Sequence, residues 1–164
     1  MATTYTIEYD KLEHSIIIPI LIEYNNCVVS CNALVDTGAT NCAISDWITK
    51  DLQLPMIEGA VSRLLSADNK SIRPIFRGNI FISSNLSFNN WKITSIKNPC
   101  TEYDVIIGTD ILSRCDYTIS NYNNHTVFSL RYPSQGEVKY GPATDHNADI
   151  NNLADRFEDQ LLST

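Results

Sequence analysis

Asp36 is the residue of this chain best placed to do chemistry. It closes the apolar run Ala33-Leu34-Val35 and is followed by Thr37, Gly38, Ala39 and Thr40. A strand would deliver its carboxylate to a surface, and Gly38 would let the backbone turn sharply with no side chain in the way. Such a turn suits two kinds of work. In the first, two carboxylates share one proton: one acts as base on a water while the other protonates a carbonyl, which hydrolyses a peptide bond without a covalent intermediate. In the second, an Asp-x-Gly-x-Thr turn holds a phosphate in a kinase of the actin-like fold. That fold needs two large domains and a second phosphate loop, which 164 residues do not supply. The motif occurs once, so the two-carboxylate reading needs a second copy of the chain.

A second segment strengthens that reading. Tyr103-Asp104-Val105-Ile106-Ile107-Gly108-Thr109-Asp110-Ile111-Leu112 reads as another buried strand ending at a glycine, then a short helical stretch. Together, Val-Asp-Thr-Gly-Ala-Thr and Val-Ile-Ile-Gly-Thr-Asp-Ile-Leu resemble the retropepsins, the aspartic proteases of reverse-transcribing viruses and retrotransposons. The likeness spans roughly residues 16–132. Residues 63–75 resemble the family's flap, the hairpin that closes over substrate. Their tip is polar and lacks the glycines of many retroviral flaps, closer to plant pararetroviruses and long-terminal-repeat retrotransposons.

The resemblance implies a homodimer in which Asp36 of each subunit meets its mate at the two-fold axis. Two carboxylates about 3 Å apart cannot both ionise, so they titrate as a unit. Thr37 would bond across the interface beneath the aspartates, and Gly38 would offer its carbonyl to substrate. The substrate, a polyprotein or peptide, would lie extended as an added strand. Ala39, Thr40 and Asn41 would form the floor, Val105 and Ile106 the wall, and Leu65, Ser66, Ala67 and Asp68 the flap tip. Plain core packing is the competing reading for Val105 and Ile106. A cellular retropepsin-like domain, kept for processing or for dimerisation and binding, is the alternative to a viral enzyme.

Two departures matter. Retroviral enzymes often pair an acidic residue after Asp-Thr-Gly-Ala with an Arg after the second glycine; here Thr40 and Thr109 stand there, and no such ion pair can form. Asp110 is left to anchor the short helix or to bond Thr40 or Asn41. Ala39 occupies the place where many pepsin-like enzymes carry a serine whose hydroxyl stabilises the ionised acids. Activity nearer to neutral pH is therefore expected.

Bulk properties bound the rest. The length suits one domain, and 43% hydrophobic residues support a core. Net charge is −7, and the basic residues are scattered, which argues against nucleic acid as a partner. Cys27, Cys31, Cys42, Cys100 and Cys115 form no Cys-x-x-Cys pair, and the three histidines lie far apart, so neither a metal nor a cofactor is expected. The thiols read as small buried residues in a reducing compartment. Met1 precedes polar residues and no run is long enough to cross a membrane, so the expected setting is host-cell cytoplasm or a viral particle rather than secretion.

The elements that position these residues read as an all-β domain, a closed barrel or sandwich with a flap hairpin and one short helix after the second motif. Ser15–Tyr24, with Pro19 inside it, reads as an edge-type strand that turns at Asn25-Asn26 into Cys27–Val35. Asn41–Ser45 and helical turns at Asp46–Leu52 follow. Arg63–Ser66 pairs with Ser71–Phe76, Gly78 marks a break, and Asn79–Ile82 pairs with Trp91–Ile96. After Asp104–Ile107 and the helix Thr109–Arg114, Asp116–Ser120 and Thr126–Tyr132 form a last hairpin. Residues 1–132 would be the domain. Residues 133–164 would be a linker and acidic tail, in which Ile150, Leu153, Phe157 and Leu161 have amphipathic-helix spacing.

Overall fold

The computed structural model describes residues 1–65, 70–97 and 100–141. Its strands are β1 (Thr3–Tyr9), β2 (Ile17–Tyr24), β3 (Cys27–Val35), β4 (Ala43–Ser45), β5 (Met56–Leu65), β6 (Lys70–Ser83), β7 (Leu86–Ile96), β8 (Val105–Ile107), β9 (Asp116–Tyr122) and β10 (His125–Tyr132). Two short helices interrupt them, α1 (Asp46–Asp51) and α2 (Thr109–Leu112). Strand order in the larger sheet is β2-β3-β8-β4-β7-β6-β5, and β6 also pairs with β2 through Leu21↔Phe81, Ile22↔Ile80 and Glu23↔Asn79. That extra pairing closes six strands into a barrel and leaves β5 outside it, paired only with β6 as a long hairpin. A smaller antiparallel sheet, β1-β10-β9, packs beside it.

Alternation explains why the barrel closes. Along β2, Ile18, Ile20 and Ile22 are buried, as is Ile16 just before it, while Pro19 and Leu21 face outward. They meet Ala33, Ile44, Ile80, Ile93, Val105 and Ile107 in one core, which Phe128 and Leu130 of β10 extend under the smaller sheet. Each fully buried isoleucine stabilises the fold by about 2 kcal/mol relative to exposure. Tight turns set the hairpins. Asn25 and Asn26 both have positive φ (50° and 62°), as do Asn123 and Asn124 (51° and 62°). Paired positive-φ residues match the twist of the flanking strands, and asparagine tolerates that conformation.

Several expectations needed correction. β1 was not anticipated, although Tyr5, Ile7 and Tyr9 alternate and pack on the core. It pairs with β10 from Thr3↔Tyr132 to Tyr9↔Thr126. Gly78 does not end a strand; it lies within β6, where the pairing with β7 shifts register between Gly78 and Ile80. A Cβ there would meet Leu54 at 3.5 Å and Ile93 at 3.7 Å, ordinary contact distances, so the residue marks a register shift in a continuing strand rather than a break. The β6–β7 turn is also tighter than expected, since Leu86–Asn90 belongs to the strand. β2 is an edge only around Pro19; farther on, both of its sides are paired. Cys31, Cys42 and Cys115 are buried free thiols, but Cys27 is exposed and Cys100 half-buried. The anticipated tail helix lies outside the described residues.

Beyond β10 the chain is fastened back. The Ser134 amide donates to the Arg114 carbonyl at 2.9 Å, and the Ser134 hydroxyl and Gln135 amide donate to the Asp116 carboxylate, with Arg131 bound to the same group. Among the described residues no helix is long and apolar enough to cross a membrane.

Candidate active site

The turn bearing Asp36 is fixed by strand order. β8 lies between β3 and β4, parallel to the first and antiparallel to the second. The chain must therefore leave β3 at Val35, cross the end of β8, and return as β4 at Ala43. Gly108, the first residue past β8, lies directly under that crossing. A Cβ on it would come within 2.7 Å of the Asn41 carbonyl carbon and oxygen and 2.9 Å of the Ala39 oxygen. Glycine is required there by close backbone approach.

Hydrogen bonds then tie the two motifs together. The Asp36 amide donates to the Ile107 carbonyl at 3.0 Å, and the Ala39 amide to the Asp36 carbonyl at 3.3 Å. The Gly38 amide donates to Asp36 Oδ1 at 2.8 Å, so the turn itself supports the carboxylate. The Thr109 amide donates to Ala39 O (2.8 Å) and the Asp110 amide to Thr40 O (3.1 Å). The Thr109 hydroxyl lies 3.2 Å from Ala39 O and 3.3 Å from Thr40 O. The link between the two motifs is therefore made by one hydroxyl and two backbone amides onto the Ala39 and Thr40 carbonyls. Asp110 resolves as a helix anchor: its carboxylate accepts from the Ile111 amide, and it bonds Thr40 through its backbone only.

The structure brings Asp36, Thr37, Gly38, Ala39, Thr40 and Asn41 together on one turn. Thr37, Gly38, Thr40 and Asn41 are exposed, while Asp36 and Ala39 are half-buried. On β8, Val105 is wholly buried in the core, whereas Ile106 points the other way and stays half-buried. Of the expected flap tip, Leu65 ends β5 opposite Lys70; Ser66, Ala67 and Asp68 lie outside the described residues. The β5–β6 hairpin is anchored by Arg73, whose guanidinium binds Asp46 at 3.0 Å and whose Nε donates to the Ser95 carbonyl at 3.1 Å.

Tyr103, which opens the second motif, has no role in the sequence reading. Its phenol is pushed above the ordinary range first by burial, then by the neighbouring Cys100, Asp36 and Glu102. A large aromatic just ahead of the second motif's apolar run was the available signal. Trp91 was also read only as a strand residue, yet its indole reaches Asp110.

The site is thus a strand-borne aspartate on a glycine turn, carried by a closed six-stranded barrel with a long outer hairpin. Residues 20–111 match the aspartyl protease family, and the chain belongs to that family. The fold is similar to the crystal structure of a retropepsin-like aspartic protease from Rickettsia conorii, at 15% identity and a TM-score of 0.53, over 80% of this chain and 96% of that one. A weaker likeness links it to the retroviral protease-like domain of Ddi1 from Leishmania major, at 16% identity and a TM-score of 0.40, over 68% and 91% of the two chains. No curated protein matches the sequence.

Proposed function

We propose that the chain is an aspartic endopeptidase that acts as a homodimer, with Asp36 from each copy forming one catalytic pair. A single aspartate on an exposed turn, with its carboxylate already bonded by Gly38, carries this reading: the chemistry needs two acids and the motif supplies one. In the pair, the ionised carboxylate takes a proton from a bound water as its oxygen attacks the scissile carbonyl. The protonated partner gives its proton to the carbonyl oxygen. Collapse of the resulting diol breaks the C–N bond as the amine leaves with a proton, and no covalent enzyme intermediate forms.

Thr37 sits beside the pair and bonds across the interface. Gly38 offers its carbonyl to the substrate backbone, Ala39, Thr40 and Asn41 form the floor, and Ile106 faces the cleft. The substrate is an extended segment of a viral or retroelement polyprotein, including the junction that releases the enzyme itself; this rests on the sequence resemblance. The fold likeness to a protein of Rickettsia conorii keeps a cellular processing or dimerisation domain as the second reading.

An Asp36→Asn variant separates enzyme from inert module. It should keep its fold and its dimer, yet lose cleavage of a precursor carrying natural flanks. A statine-type mimic of the tetrahedral diol should inhibit the unaltered protein. Cleavage that survives Asp36→Asn would overturn the reading.

A further inference from the structure

Beneath the active-site turn, three donors converge on one carboxylate that the chemistry above does not use. Asp110 Oδ1 accepts from the Cys42 thiol at 3.1 Å and the Ile111 amide at 3.0 Å, and Oδ2 accepts from the Trp91 indole at 3.0 Å. The Gly108 amide in turn donates to the Cys42 sulfur at 3.5 Å. Cys42 is fully buried, and burial together with the nearby Asp110 charge keeps its thiol protonated and a donor. Trp91 is itself held, with Phe88 edge-on at 5.6 Å and the Arg114 guanidinium 4.9 Å from its ring centroid.

We propose that Asp110 is a positioning residue of this active site. Braced by Trp91 on β7, it grips Cys42 and so fixes the segment Ala39–Asn41, the backbone that receives substrate. The inference rests on the protease reading and extends it. Its logic is mechanical. The turn is pinned at its start by the Asp36 amide on Ile107 and in its middle by Thr109. Cys42 directly follows Asn41, so its thiol is the side-chain tether at the far end. Bonds to a charged acceptor are roughly twice as strong as neutral ones. The same bonds made merely to satisfy buried polar groups would affect stability alone.

The test uses the full chain with Asp110→Asn, Trp91→Phe, Cys42→Ala and Cys42→Ser, each checked by thermal unfolding. Asp110→Asn and Cys42→Ala should raise KM for a peptide about tenfold with kcat within about threefold, the pattern of a displaced binding surface. Cys42→Ser keeps a donor of similar size and should stay within about twofold of the unaltered enzyme. Trp91→Phe should fall between. Amide exchange at residues 39, 109 and 110 should quicken about tenfold in Asp110→Asn, with β3 amides unchanged. Equal KM values for Cys42→Ser and Cys42→Ala, or variants that lower only the melting temperature, would overturn the proposal. If the unaltered protein cleaves nothing, the protease reading fails, and the exchange rates alone decide whether Asp110 tethers the turn.

Discussion

The amide of Gly38 donates to Oδ1 of Asp36 at 2.8 Å, and a Cβ on residue 38 would lie 3.1 Å from that same oxygen. The glycine that supports the carboxylate thus also leaves it room. Gly38→Ala should push the carboxylate aside while the barrel stays folded. A displacement of this kind is expected to lower kcat/KM by about 10- to 100-fold, with the melting temperature changed little. An active alanine variant would show that this oxygen can move without cost.

Gly108 differs in kind, because what a Cβ would strike there is backbone. Ala39 and Asn41 would both have to shift, and no flexible side-chain end can yield. Gly108→Ala should destabilise the fold by about 1–3 kcal/mol, as overpacking does, as well as reduce activity. Urea unfolding of the two glycine variants separates the effects: Gly108→Ala shifts the midpoint, and Gly38→Ala shifts mainly the rate.

Asp116 gives a pH signature outside the active site. The Gln135 amide and Ser134 hydroxyl, with Arg131 beside them, hold its carboxyl down from 3.8 to about 2. A carboxyl whose folded value is lowered adds stability at higher pH and loses it on acidification. The melting-temperature advantage of the unaltered protein over Asp116→Asn should therefore be constant above pH of about 5. It should shrink as pH falls from about 4 towards 2. A constant difference across that range would show that the strap is not held by the ionised carboxylate.

Ala39 bears on the pH of catalysis. Its amide bonds the Asp36 carbonyl, but its side chain offers no hydroxyl to the proposed pair of acids. Activity should extend towards neutral pH, and Ala39→Ser should move the optimum to lower values, as read from pH–rate profiles. An optimum below about 3 in the unaltered enzyme would refute this.

Much of the framework around Asp36 was legible because its signals are local. Cys27–Val35 was read to the residue, since β-branched and small residues run between an asparagine turn and Asp36. The strand and helix of the second motif were read because an apolar run stops at Gly108. What remained hidden is non-local. Nothing near Leu21, Ile22 or Glu23 announces that β6 will close the barrel against them. Thr3–Tyr9 went unassigned because its partner β10 lies at the other end of the domain. The Trp91–Asp110–Cys42 contact joins residues up to 68 positions apart and has no sequence period to betray it. Gly78 shows the reverse error: a glycine in a strand was read as punctuation when it marks a register shift.

The most direct test of the central claim is to mix unaltered chain with Asp36→Asn chain at fixed total concentration and follow cleavage of a peptide after the subunits have exchanged. If each active centre takes one acid from each of two copies, an equal mixture contains about a quarter fully competent dimers, and the rate should fall to about a quarter of the unmixed value. A rate of about one half, simply proportional to the unaltered chain present, would mean that each copy works alone, and the two-copy catalytic pair would be wrong.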